Sequence, residues 1–173
     1  VTAPTEPKNA YGRTKLAGEN AIREFQNGNS CIVRTAWLYS EHGKNFAKTM
    51  AARALRREPV RVVNDQLGQP TSAHDLAQLI WSISQLEKMP AIAHGTNAGQ
   101  ATWFQFAQEI YTQLGADPAL VSPVDSSTFP TVAKRPGYSV LDHTDFASSG
   151  LRQMQNWKDG LSDSIDRICS EIQ

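Results

Sequence analysis

Cys31-Ile32-Val33-Arg34-Thr35-Ala36-Trp37 is a short apolar run rich in β-branched residues, and its length and composition fit a buried strand better than a helix. Ahead of it, Ala10 to Gln26 reads as a helix, stopped by Asn27-Gly28-Asn29, residues that favour a left-handed turn. Beyond it, Phe46 to Arg57 is again helical and ends before Pro59, and Val60-Arg61-Val62-Val63 reads as a second strand. The alternation continues. Thr71 and Ser72 open a helix in which Ser72-x-x-Asp75 has capping-box spacing, with Leu76, Leu79, Ile80 and Ile83 on one stripe and a stop by Pro90. Ala91 to Gly95 is a strand candidate. Thr102-x-x-Gln105 caps a helix carrying Phe106, Ile110 and Leu114 and closed by Gly115. Val121 to Val124 is a further strand, and from Leu161 a last helix sets Ile165, Ile168 and Ile172 on one face. Helices alternating with strands imply an α/β layered fold, and each apolar stripe reads as core packing.

Charge narrows the function classes. Lys+Arg and Asp+Glu balance at 17 each in 173 residues, so nothing points to nucleic acid or to an anionic membrane. The opening residues are polar and include Pro4 and Pro7, unlike a signal peptide. The longest apolar stretch, Leu76 to Leu86, is interrupted and too short to span a bilayer. Cys31 and Cys169 lie far apart, so the expectation is two reduced thiols and a cytoplasmic location. His42, His74, His94 and His143 show no metal-ligand spacing, and no metal site is expected.

The chemistry is concentrated in Tyr11-Gly12-Arg13-Thr14-Lys15. Residues i and i+4 are neighbours on one helix face, so a phenol lies beside an ammonium there. A nearby cation favours the ionised phenol, and such a pair can pass a proton to or from a carbonyl oxygen. The bare spacing also occurs in ordinary exposed helices, so the surrounding residues matter.

Pro7-Lys8-Asn9-Ala10-Tyr11-Gly12-Arg13-Thr14-Lys15-Leu16-Ala17-Gly18-Glu19 resembles the extended short-chain dehydrogenase/reductase family, and within it the dTDP-4-dehydrorhamnose reductases. Arg34-Thr35-Ala36-Trp37-Leu38-Tyr39, Gly43-Lys44-Asn45-Phe46, Asp65-Gln66-Leu67-Gly68-Gln69-Pro70-Thr71 and Arg135-Pro136 match that pattern in order. The resemblance covers nearly all of the chain and corresponds to the C-terminal portion of such an enzyme. It implies the last part of a Rossmann-like parallel sheet plus a small α/β substrate-binding domain. Residues 1–40 would carry the catalytic helix and a strand of an incomplete NAD(P)-binding domain. Residues 41–173 would be mostly the sugar-nucleotide domain, with some segments returning to the sheet.

The implied reaction is reduction of a dTDP-4-keto-6-deoxy sugar by NADPH, leading to dTDP-L-rhamnose for cell-surface polysaccharide. Tyr11 would donate the proton, and Lys15 would support the phenol and hydrogen-bond the nicotinamide ribose. Trp37, at the end of its strand, would stack on the sugar or else bridge strand and helix in the core. Gln69 would bond nucleotide or sugar, or sit in a turn held by Pro70. Arg135 would clamp the diphosphate, its planar fork suiting phosphate oxygens. Lys44 and Lys134 are weaker cationic candidates, and Asn45 reads as a helix cap rather than a ligand.

Two parts of the family pattern are missing from the sequence. The Ser or Thr that holds the substrate carbonyl should precede the Tyr by more residues than Thr2 or Thr5 do, and no G-x-G-x-x-G is present. The expectation is therefore a chain inactive alone, whose open sheet edge self-associates or pairs with a separate N-terminal half. Some relatives use Mg²⁺ at a subunit contact, but no carboxylate cluster singles out such a site. Two alternatives are a non-catalytic regulatory subunit and a related reductase or epimerase for another nucleotide sugar.

Overall fold

The computed structural model describes residues 1, 3–7, 9–26, 30–129, 135–144, 146 and 150–172. The alternation read from sequence is present. Helix α1 (Ala10–Phe25) leads into strand β1 (Ile32–Arg34), then β2 (Leu38–Tyr39), α2 (Phe46–Leu55), β3 (Val60–Val63), β4 (Leu67–Gly68) and β5 (Thr71–Ser72). Next come α3 (Ala73–Ser84), β6 (Ile92–His94), β7 (Ala101–Thr102), α4 (Trp103–Gln113), β8 (Val121–Val124) and α5 (Trp157–Ser170). The expected stop at 27–29 lies outside the described residues.

Three strand pairs are parallel, β1 with β6, β2 with β5, and β3 with β8, while β4 and β7 run antiparallel. Parallel partners need a crossover between them, and helices supply it: α2 and α3 both lie between β1 and β6 in sequence. One core cluster joins α2, α4, α5, β3 and β8 around Phe106, Ile110, Tyr111 and Leu161. A second lies under α3, where Leu76, Leu79 and Ile83 meet Ala93, Phe146 and Met154. Ile80, expected on the same stripe, is instead 47% exposed beside the exposed Trp81.

Three local expectations change. The run from Cys31 forms a strand only to Arg34, and Trp37 sits past it at φ 47, a left-handed residue rather than a strand end. Thr71 and Ser72 form β5 before α3 begins, and Ser72 makes no side-chain cap bond. Asp75 turns instead to Asn97 Nδ2 at 2.6 Å and to Gln155 Nε2 at 3.1 Å. Asn97 Oδ1 in turn accepts from the Ser72 amide at 2.8 Å, so a fully buried amide does the work expected of the cap. This knot leaves no room for a side chain at Gly160, where a Cβ would come within 2.7 Å of Asp75 Oδ2. The last helix starts four residues before Leu161, at Trp157, with Asn156 as its cap.

Two other caps follow the sequence. Thr102 and Gln105 form a complete capping box at the start of α4, and Asn45 accepts from the Lys48 amide at the start of α2. No helix among the described residues is long and apolar enough to cross a membrane.

Candidate active site

Helix α1 buries none of its residues. Asn9 caps it, its side chain accepting from the Gly12 amide at 2.9 Å, which sets the start of the helix just ahead of Tyr11. Tyr11 is 70% exposed, and Lys15 Nζ lies over its ring, 5.5 Å from the centroid. The helix is tied to β1 by a fork-to-fork pair: Arg34 Nε and Nη2 donate to the two Glu19 oxygens at 2.8 and 2.6 Å. Hydrogen bonding from Arg34 holds the Glu19 carboxyl below the usual carboxylate range, and the same bond raises Arg34. A cavity of about 250 Å³ opens beside this pair, lined by Gly12, Lys15, Leu16, Glu19 and Arg34 among others.

Trp37 follows Arg34 closely. Its left-handed backbone, which costs a non-glycine residue about 1–3 kcal/mol, turns the indole away from the strand. The ring stacks on Trp103 with centroids 3.5 Å apart and planes 9° apart, and it covers Gly68. A Cβ at Gly68 would fall 2.4 Å from Trp37 Cε2, so only glycine admits the indole there. Trp103 then meets Phe46 at 4.7 Å. These two rings, each the first residue of a capped helix, form the apolar wall of a larger cavity of about 750 Å³. Arg61 and Arg135 bring two guanidinium groups to the same cavity. Ser126 lies on its rim, held by Asp65, whose carboxylate accepts from the Ser126 amide and hydroxyl.

Gln69 does not face either cavity. It is 3% exposed, and its amide pairs with the backbone of Leu141: Nε2 donates to Leu141 O at 3.2 Å, and Oε1 accepts from Leu141 N at 2.7 Å. The same Oε1 accepts from the Thr96 hydroxyl at 2.9 Å. Upstream, Leu67 N donates to Gly137 O and Ser139 N donates to Leu67 O, so residues 137–141 lie along β4 as a strap. Gln69 extends that strap with a side chain in place of backbone, and Arg135 projects from just ahead of it.

The two cavities share no lining residue. Lys15 and Arg34 line the smaller one, with Tyr11 adjoining it through its contact with Lys15, Arg135 lines the larger, and Trp37 backs the wall of the larger through Trp103. Lys44 is exposed, Asn45 is used as a cap, and Lys134 lies outside the described residues. Tyr39 is 2% exposed in the core, where burial pushes its phenol well above the ordinary value. Sequence reading missed Arg61, Phe46 and Trp103 at the cavity. For Phe46 and Trp103 a signal existed, since each follows a capping residue and opens a helix. Arg61 alternates outward in a strand whose neighbours Val60 and Val62 are buried, a pattern that places a cation on an open face.

The chain is similar to known proteins along nearly its whole length. The RmlD substrate binding domain profile matches residues 1–170. A dTDP-4-keto-6-deoxy-D-glucose reductase of Streptomyces niveus is 44% identical over 164 residues, which are 95% of this chain and 57% of that protein. A dTDP-4-dehydrorhamnose reductase of Streptomyces griseus is 41% identical over 170 residues, 96% of this chain and 56% of that protein. The crystal structure of a dTDP-4-dehydrorhamnose reductase from Bacillus anthracis, in complex with NADP, superposes with a TM-score of 0.86 at 35% identity, covering 95% of this chain and 57% of that one. The chain thus spans a little over half the length of the relatives it matches. With that match over residues 1–170, its α/β fold with parallel strand pairs is the C-terminal part of a Rossmann-like reductase fold, and the chain belongs to the RmlD substrate binding domain family.

Proposed function

We propose that this chain carries the catalytic helix and the substrate-binding part of a reductase that acts on a dTDP-4-keto-6-deoxy sugar with NADPH, leading to dTDP-L-rhamnose. The observation that carries the reading is the pairing of Tyr11 with Lys15 on an exposed face of α1, 5.5 Å from ring centroid to ammonium. The family and the reductases named among its relatives support the same reading.

The larger cavity suits a nucleoside diphosphate sugar. Trp103 and Phe46 offer flat apolar faces to a base or sugar ring, and Arg61 and Arg135 offer fork-shaped donors to a diphosphate. Trp37 acts from behind, fixing the plane of Trp103. Gln69 acts by holding the 137–141 strap, and so the approach of Arg135.

The residues of α1 fit the nicotinamide-ribose end of NADPH. Lys15 presents exposed donors beside the phenol, and the cavity at Gly12 and Lys15 is of a size for one ring rather than a dinucleotide. No G-x-G-x-x-G is present to seat the pyrophosphate. Bound NADPH supplies the hydride that reduces the C4 ketone. Tyr11 gives its phenolic proton to the ketone oxygen as charge develops there, and Lys15 stabilises the phenolate left behind. The division of labour follows: residues 1–40 serve the cofactor side, and most of residues 41–173 serve the sugar nucleotide.

Calorimetric titration of the purified chain with dTDP tests the substrate half of this reading. Arg135→Ala and Arg61→Ala should each weaken binding about 10–100-fold, the worth of one charge-assisted hydrogen bond. Binding unaffected by both substitutions would place the nucleotide elsewhere.

A further inference from the structure

We infer that His143 is a positioning residue for nucleotide binding: its Nε2–H, relayed through Thr96 and Gln69, locks the 137–141 strap that presents Arg135 to the larger cavity. The inference rests on reading that cavity as the nucleotide site.

The direction of every bond in the relay is fixed from one end. A backbone amide can only donate and a backbone carbonyl can only accept, so the Leu141 pairing sets which end of the Gln69 amide is oxygen. Thr96 Oγ1 faces that oxygen at 2.9 Å and must donate to it. Having spent its proton, Thr96 can only accept from His143 Nε2, which lies 2.7 Å away. His143 therefore carries its proton on Nε2, and Nδ1 is left to accept from Gln153 Nε2 at 3.2 Å. The neutral ring satisfies both neighbours. A second proton, on Nδ1, would face the Gln153 amide hydrogens donor to donor.

The surroundings add to this. Phe146 meets the ring edge-on at 5.5 Å, His94 lies behind it with Nδ1 donating to the Asp142 carbonyl at 2.8 Å, and the Asp142 carboxylate is turned to Thr144. Burial first and His94 second hold the His143 imidazole below its ordinary value, against the opposing pull of Asp142. A group whose folded value is depressed favours the folded arrangement above its unfolded value of 6.5, and that contribution is lost as pH falls below it. Protonation keeps the Nε2–H donor but adds an Nδ1–H that opposes Gln153 and a charge in a half-buried place beside His94, so acidification pushes the ring from its seat and loosens the relay, then the Leu141 pairing, then the strap.

The test compares the wild-type chain with His143→Gln and His143→Ala at about pH 7.5 and about pH 5.5, either side of the histidine range. Two quantities are read: the Kd for dTDP, and the exchange protection of the Leu141 and Ser139 amides corrected for intrinsic rate. Glutamine keeps a donor toward Thr96 and does not titrate. The terminal phosphate of dTDP titrates in the same range, so the difference between the two proteins is the informative quantity. We expect wild type and His143→Gln to bind alike at the higher pH. At the lower pH the wild type should bind about tenfold more weakly than His143→Gln and lose about tenfold in Leu141 protection, the scale of one broken hydrogen bond. His143→Ala should be weak at both. Identical pH profiles for wild type and His143→Gln overturn the inference, and so does wild-type Leu141 protection that is flat with pH, which needs no variant to fold. Absence of dTDP binding by the wild type at either pH overturns the nucleotide reading itself.

Discussion

Trp37 and Trp103 stack face to face at 3.5 Å, and the Trp37 ring packs directly on Gly68. The pair links the loop after β1 to the start of α4, and so couples the α1–β1 side of the molecule to the wall of the larger cavity. Replacing Gly68 with alanine drives a methyl into the indole. Gly68→Ala should lower stability by about 1–3 kcal/mol, the usual cost of overpacking, and reduce the exciton signal of the stacked indoles in circular dichroism. Unchanged stability and an unchanged couplet would show that Trp37 has room to move.

The Glu19–Arg34 fork is the polar tie between α1 and β1. Glu19 has a depressed folded value, so its contribution is present above the ordinary 4.5 and is lost as pH falls through the lower folded value. Amides of α1 should therefore lose protection on acidification below about pH 4.5 before the core does, since α1 buries no residue to hold it otherwise. Glu19→Gln should bring the same loss at neutral pH. Protection of α1 that tracks the core at every pH would contradict this account of its attachment.

Two polar clusters at helix starts differ in kind. The Thr102 box is exposed and local, so Thr102→Ala should cost about 1 kcal/mol in urea denaturation. Asp75 is buried and holds Asn97 and Gln155, so Asp75→Ala should cost more, about 1.5–3 kcal/mol, because two amide donors lose a charged acceptor. The reverse order would mean that Asp75 serves the helix end after all.

Ile110 has no exposed surface and lies between Phe106 and Tyr111 in the main cluster. Ile110→Ala should cost about 2–5 kcal/mol, with the exact figure set by how far α2 and α5 close on the cavity. A loss below about 1 kcal/mol would imply a core that repacks freely.

What could be read from sequence was local. The Thr102-x-x-Gln105 box, the Val60–Val63 and Val121–Val124 strands and the buried Phe106 and Ile110 all follow from spacing and side-chain type. That β3 pairs with β8 is a long-range fact with no local signature. Ser72-x-x-Asp75 misled because the spacing is blind to other partners: Asn97 takes the Ser72 amide and the Asp75 carboxylate, and Ser164 takes the Ser72 hydroxyl. Trp37 misled for a related reason: the strand pattern runs through it, while stacking on Trp103 favours a left-handed backbone that no strand permits. At the candidate site, the Tyr11–Lys15 pair was legible because one helical turn sets it. The relay from His143 to Gln69 was not, since its members meet only through tertiary folding.

The most direct test of the central claim joins the part of the Streptomyces niveus reductase that this chain does not match ahead of this chain and follows NADPH oxidation with a dTDP-4-keto-6-deoxy sugar. The unsubstituted chimera should turn over. Tyr11→Phe should lower kcat by about 10²–10⁴-fold while the Kd for dTDP stays the same, because the substitution removes a proton and no binding surface. Turnover by Tyr11→Phe equal to that of the unsubstituted chimera would contradict the assignment of this helix as the catalytic one.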